Sequence, residues 1–132
     1  MFRVLGEFTE DRAGHPIDYF KERNISLDFR GELKIHPSVI FGFDISIWTL
    51  SHDKYNLDNL NKTVKRPVTI GANCFIGSNV VLYNCELSEN TFVCIGSVLK
   101  NVRTIHYSMW NGNPAKLIAT KHMEKNEWIY EP

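Results

Sequence analysis

No sign of charge prevails in this sequence: fifteen lysines and arginines stand against fifteen aspartates and glutamates in 132 residues. Without a basic surplus the chain lacks the electrostatic footprint of a nucleic-acid or membrane-surface binder, so neither partner is expected. Also missing is any apolar run near the roughly 18 residues of a membrane-spanning helix. The opening MFRVLGEFTEDRAGH breaks into charge before a secretory segment can form, so a soluble, cytoplasmic protein is expected. Cysteine is scarce. Cys74, Cys85 and Cys94 give an odd count with no CxxC spacing, which argues against both a disulfide framework and a zinc site and leaves buried free thiols as the simpler reading. His15, His36, His106 and His122 show no ligand spacing, and no metal is expected. The length suits one domain.

What the sequence does have is an internal period. Written in sixes it reads FRGELK, IHPSVI, FGFDIS, IWTLSH and, after an interruption, IGANCF, IGSNVV, LYNCE, LSENTF, VCIGSV. The first column (Phe29, Ile35, Phe41, Ile47, Ile70, Ile76, Leu82, Leu87, Val93) is apolar throughout. The fifth column is small or apolar apart from Glu86, which stands in the five-residue unit LYNCE, where Cys85 can take the inward place. A strand alternates with period two and a helix repeats near 3.6, so a period of six fits neither alone. Three short flat strands per turn do give it, winding as a triangular prism whose stacked turns pair as parallel strands. A sandwich of short strands would place its turns every 8 to 12 residues instead.

Three segments fall outside the period. Residues 53–67, DKYNLDNLNKTVKRP, form a polar excursion directly after His52, and Val68 leads back into the repeat. Residues 1–28 read as an N-terminal cap, with GHPIDYFKERN able to hold one short helix. Residues 29–114 are the repeat domain. The tail 115–132 opens with AKLIATKHMEKNEW, good helix formers, and is expected to cap the prism as a helix.

Two further stretches, IWTLSHD (47–53) and WNGNPAKLIATK (110–121), flank RPVTIGANCFIGSNV. Together they resemble the hexapeptide-repeat O-acetyltransferases that act on maltose, galactosides and polysaccharides. That group has a strand ending in histidine, a polar loop, an RPV or KPV re-entry, an IG-repeat pair, a GS followed by a lysine segment, and GNPAK. The resemblance implies an all-β fold, a left-handed parallel β-helix of three to four coils, where the usual preference for right-handed crossovers would predict the opposite hand. It also implies a homotrimer with active sites between subunits, and acetyl-CoA as donor to a hydroxyl or amine. The chain departs from the pattern in the short repeat after Leu82, in Leu99–Arg103 where TKDVP is usual, and in a longer connection, TIHYSMWN, before GNPAK.

Carried over residue by residue, the resemblance makes His52 the general base. The chemistry is apt, because acyl transfer from a thioester needs positioning and a base that titrates near neutrality, as an unperturbed imidazole does at about 6.5. Candidates to orient the ring are Asp53, its neighbour, and Asn24. For the cofactor the resemblance points to Ser78 and Ile95 along the pantetheine arm and to Lys100 and Lys116 near the phosphates. Lys121 is positioned to replace a basic residue that relatives carry where this chain has Ala119, and Phe75 is an apolar wall for the acceptor. The expected activity is O-acetylation of a sugar or polysaccharide. N-acetylation of an amino sugar and a non-catalytic scaffold are the alternatives. A γ-type carbonic anhydrase is disfavoured, since Tyr83 and Asn84 stand where metal-binding histidine is needed.

Overall fold

The computed structural model describes residues 1–132. The chain visits three sheets in rotation, and each strand pairs in parallel with the one a full turn later. Face 1 carries Ser26–Asp28, Ser46–Trp48, Val81–Tyr83 and Val98–Lys100, with Val4–Leu5 added at its top. Face 2 carries Leu33–Ile35, Val68–Ile70 and Cys85–Leu87, and Glu86 bridges in parallel to Arg103. Face 3 carries Ile40–Phe41, Phe75–Ile76, Thr91–Val93 and Ser108–Gly112. The result is a three-sided parallel coil, as the period of six requires. Every first-column residue is buried, and so is Cys85 while its neighbour Glu86 is exposed.

The turn is shorter than three sixes. Val81 pairs with Val98 and Cys85 with Val68, each 17 positions apart, because the corner between faces 1 and 2 is made by a five-residue unit. LYNCE is therefore not an irregularity, since LKNVR repeats it one turn later. Asn84 and Asn101 hold these corners in the left-handed backbone region, and the Asn84 amide donates to the Asn101 side-chain oxygen at 2.6 Å. Asparagine tolerates that conformation better than other residues with a Cβ. Asn79 and Gly96 stack likewise between faces 3 and 1, and Asn73, Asn90 and Tyr107 between faces 2 and 3.

The connection TIHYSMWN is also a repeat unit. Thr104 and Ser108 occupy its inward places, and polar residues there hide the pattern from a hydrophobic reading. They can be buried because each is bonded: Thr104 Oγ1 lies 2.7 Å from Thr91 Oγ1, and Ser108 Oγ donates to the Ile105 carbonyl.

The N-terminal boundary moves. Ser26–Asp28 already belongs to the first turn, and Leu27, not Phe29, pairs with Ile47. Residues 29–31 are an insertion at the corner between faces 1 and 2, built around the Asp28 carboxylate, whose side chain is 1% exposed. Its oxygens accept from the Arg30 guanidinium at 2.9 and 3.1 Å, from Arg30 N and from Thr49 N. Burial alone would raise the Asp28 pKa, but the Arg30 bond and the two backbone donors outweigh it and hold the carboxyl below its usual range. A depressed folded pKa stabilises fully above the unfolded value of about 3.9 and is lost as pH falls through the folded one. Asp28→Asn should therefore cost about 1–3 kcal/mol at pH 7. From about pH 5 to about pH 2.5 its urea midpoint should fall less than that of the parent. Parallel acid limbs would rule the role out.

At the other end the expected helix is absent. Ala115–His122 and Glu127–Tyr130 form an antiparallel hairpin that extends face 3 beyond Ser108–Gly112. The last strand of a coil presents a row of unpaired backbone groups, and covering that edge outweighs the helix propensity of alanine and lysine, which differs from that of other ordinary residues by less than about 0.7 kcal/mol each. Ala115 and Ala119 are buried there. At the N-terminal end, helix Ile17–Glu22 lies within the segment expected to be helical, with a shorter helix, Glu10–Ala13, before it. Phe20 and Ala13 from these helices join the core.

Candidate functional site

The excursion expected from residue 53 begins earlier, at Leu50, and is a β-arm. Leu50–His52 pairs antiparallel with Thr63–Lys65, and a chain of turns through Asn56 and Asn59 closes the tip. Its base is fixed at Thr49, whose carbonyl accepts from Arg66 N at 2.7 Å and whose hydroxyl donates to the Asp28 carbonyl. The arm therefore leaves from the corner that holds the insertion at residues 29–31.

His52 is exposed on this arm, and its Nδ1 bonds to the carbonyl oxygen of Leu60. A carbonyl has no proton to give, so Nδ1 carries the hydrogen and the neutral ring keeps its lone pair on Nε2. That is the arrangement a general base needs. Neither orienting candidate holds the ring. Asp53 accepts from Tyr55 N at 2.9 Å and Asn56 Nδ2 at 2.7 Å and lies 3.7 Å from Lys62 Nζ, and these contacts shape the tip of the arm. Asn24 is a left-handed turn residue before the first strand of face 1, and its amide donates to Asp44. The orienting group is a backbone carbonyl, which no residue type announces in a sequence.

Between the arm and face 1 lies a cleft of about 620 Å³. One wall carries Val81, Tyr83, Val98 and Lys100, and the other carries His52, Val64 and Arg66. The structure thus brings Lys100 to His52. Arg66 was missed as a site residue, although it stands in the RPV re-entry that marks the resemblance.

The other cofactor candidates divide into two places. Ser78 and Ile95 sit at the corner between faces 3 and 1. There Ser78 Oγ accepts from Phe43 N at 2.9 Å, and Ile95 is 69% exposed. Lys116 is exposed at the same end, next to the turn that returns from Gly112 to Ala115, and Gly112 N donates to Ser97 Oγ. Lys121 lies five residues further along the same strand, about 17 Å away. It lines a shallow pocket with Phe75, Phe92 and Trp128, so it cannot serve one phosphate together with Lys116. Burial disfavours the thiolate at all three cysteines, Cys94 included. Burial raises the Cys74 thiol and pushes Cys85 up to about 12.

Several solved structures share this fold, among them two acetyltransferases. A maltose O-acetyltransferase from Clostridium difficile 630 aligns with a TM-score of 0.57 and 22% identity over 73% of this chain and 48% of its own. A hexapeptide-repeat-containing acetyltransferase from Vibrio cholerae O1 biovar eltor, solved in complex with acetyl coenzyme A, aligns with a TM-score of 0.53 and 18% identity over 73% of this chain and 49% of its own. The chain therefore spans about half the length of either. No family model and no curated protein matches the sequence.

Proposed function

We propose that the protein transfers an acetyl group from acetyl-CoA to a sugar or polysaccharide hydroxyl, with His52 as general base. The observation that carries this reading is the His52–Leu60 bond, which leaves the lone pair on Nε2 of a ring that lines a cleft at the root of a β-arm. In the reaction the acceptor oxygen attacks the thioester carbonyl carbon as its proton passes to Nε2. The C–S bond then breaks, the imidazolium returns the proton to the departing thiolate, and an ester and free CoA leave.

Acetyl-CoA would lie at the corner of Ser78 and Ile95, with Lys116 toward its phosphates. That corner and the arm are at opposite edges of face 1, since residues 79 and 84 flank one strand. The reading is therefore completed by a left-handed coil assembled as a homotrimer, in which the arm of one subunit meets the corner of the next. Likeness of fold to two acetyltransferases, one of them holding acetyl-CoA, supports it. Trp48 and Phe75, on the outer sides of faces 1 and 3, give such an assembly apolar surface to bury.

Titration calorimetry with acetyl-CoA should give saturable binding, and sedimentation should give one species of three 15.3 kDa chains. A scaffold would bind no acetyl-CoA, and a monomer at micromolar concentration would remove the intersubunit site.

A further inference from the structure

The cleft beside His52 has an uneven charge that the chain as a whole does not. Lys54, Arg66 and Lys100 line it, and Asp53 is its one carboxylate. Asp53 is turned into its own loop, accepting from Tyr55 N and Asn56 Nδ2 beside Lys62, and bonding to those partners lowers its pKa, so it stays ionised but engaged. The cations have no such carboxylate partner, although the Lys54 ammonium lies 5.4 Å from the centroid of the Tyr55 ring. Arg66, half-buried, makes one long side-chain bond, 3.5 Å to the carbonyl of Lys65, and no carboxylate lies within ion-pair distance of Lys54, Arg66 or Lys100. Because net charge over the chain is zero, a cleft walled by unpaired cations is a local feature and not a consequence of composition.

We propose that this cleft selects an acceptor sugar that carries an anionic group. Arg66 and Lys100 hold a phosphate monoester or carboxylate of the acceptor on the face 1 side, while a hydroxyl of the same sugar reaches Nε2 of His52. The planar guanidinium can hold two oxygens of the anion at once, and the ammonium adds a point charge. Val81 and Val98 supply an apolar floor, and Asn84 and Asn101 at the cleft's end can serve the remaining hydroxyls. The inference rests on the acetyl-transfer reading but is tested apart from it, because acetyl-CoA is assigned to Ser78, Ile95 and Lys116 of the adjoining subunit, none of which lines this cleft.

The test uses the full chain and three probes: a hexose 1-phosphate, the corresponding hexuronate and the neutral hexose, each titrated while the His52 ring is followed by NMR. The phosphorylated or the carboxylated sugar should shift the His52 resonances at concentrations where the neutral hexose does not. Arg66→Ala should weaken that binding by about tenfold or more, and Arg66→Lys should recover part of it. Raising the salt concentration should weaken it as well. Acetyl-CoA affinity should be unchanged in Arg66→Ala. Equal binding of the neutral and anionic sugars, or of none of the three, would overturn the inference. Displacement of the sugar phosphate by CoA, with acetyl-CoA affinity lost in Arg66→Ala, would also overturn it, by showing that these cations serve the cofactor. Failure of acetyl-CoA to bind the parent protein would instead remove the acetyl-transfer reading.

Discussion

Replacing His52 with alanine should lower kcat on an identified acceptor by about 10² to 10⁴, the usual worth of a positioned base. The fold should be indifferent to the change. His52 is exposed on the arm and its one bond is to the Leu60 carbonyl, so unfolding stability should move by no more than about 0.5 kcal/mol. Acetyl-CoA affinity should persist too, since the ring addresses the acceptor's proton and not the cofactor's phosphates. Lys116→Ala offers the contrast: it should raise the KM for acetyl-CoA with kcat less affected, as loss of binding common to ground and transition states does. The two variants must differ in kind. Near-normal turnover by His52→Ala would refute the base and the mechanism built on it.

Gly31→Ala should be the most damaging small substitution in the chain, although it adds a single methyl group at the corner from which the arm leaves. A Cβ at residue 31 would stand 2.2 Å from the Thr49 carbonyl oxygen and 2.9 Å from its Cβ and Oγ1. Those atoms cannot yield. Thr49 is fully buried, its N–H and hydroxyl donate to Asp28, and its carbonyl holds Arg66 N at the root of the arm. Overpacking against fixed backbone should cost about 3 kcal/mol or more, a fall in Tm of roughly 10 °C for a domain of this size. Gly96→Ala is the proper control. Gly96 has φ +73 but no neighbour within 4 Å, so alanine there meets only the left-handed penalty of about 1–2 kcal/mol. Differential thermal unfolding of the two variants separates lack of space from lack of conformational freedom. A Gly31→Ala protein as stable as Gly96→Ala would show that Thr49 is not the fixed node described here.

The period of six was enough to foresee the coil, because burial is a property of columns. A residue such as Leu82 is inward for the same reason as Ile47, and a single apolar column over nine units leaves few other ways to close a core. The same logic located the excursion but started it at residue 53, three residues late, since Leu50–His52 leaves the coil to pair with Thr63–Lys65. It failed where inward residues are polar. Thr104 and Ser108 fill core places by bonding to Thr91 and to the Ile105 carbonyl, and nothing in their side chains marks them as interior until those partners are known.

Local propensity misled at the tail for a related reason. AKLIATKH favours a helix when considered alone, but the free edge of Ser108–Gly112 offers a full row of backbone partners, and only the finished coil creates that edge. The five-residue corner shows the same dependence: LYNCE looks like a lapse until LKNVR stacks beneath it and Asn84 meets Asn101. What the sequence by itself determined was everything that repeats, since each turn repeats the demand for an inward apolar residue. What only the tertiary structure decided was everything made once. The Leu60 carbonyl that orients His52, the arrival of Lys100 and Arg66 in its cleft and the separation of Lys116 from Lys121 each depend on contacts between residues whose spacing follows no period, and a pattern carries no record of a contact that occurs a single time.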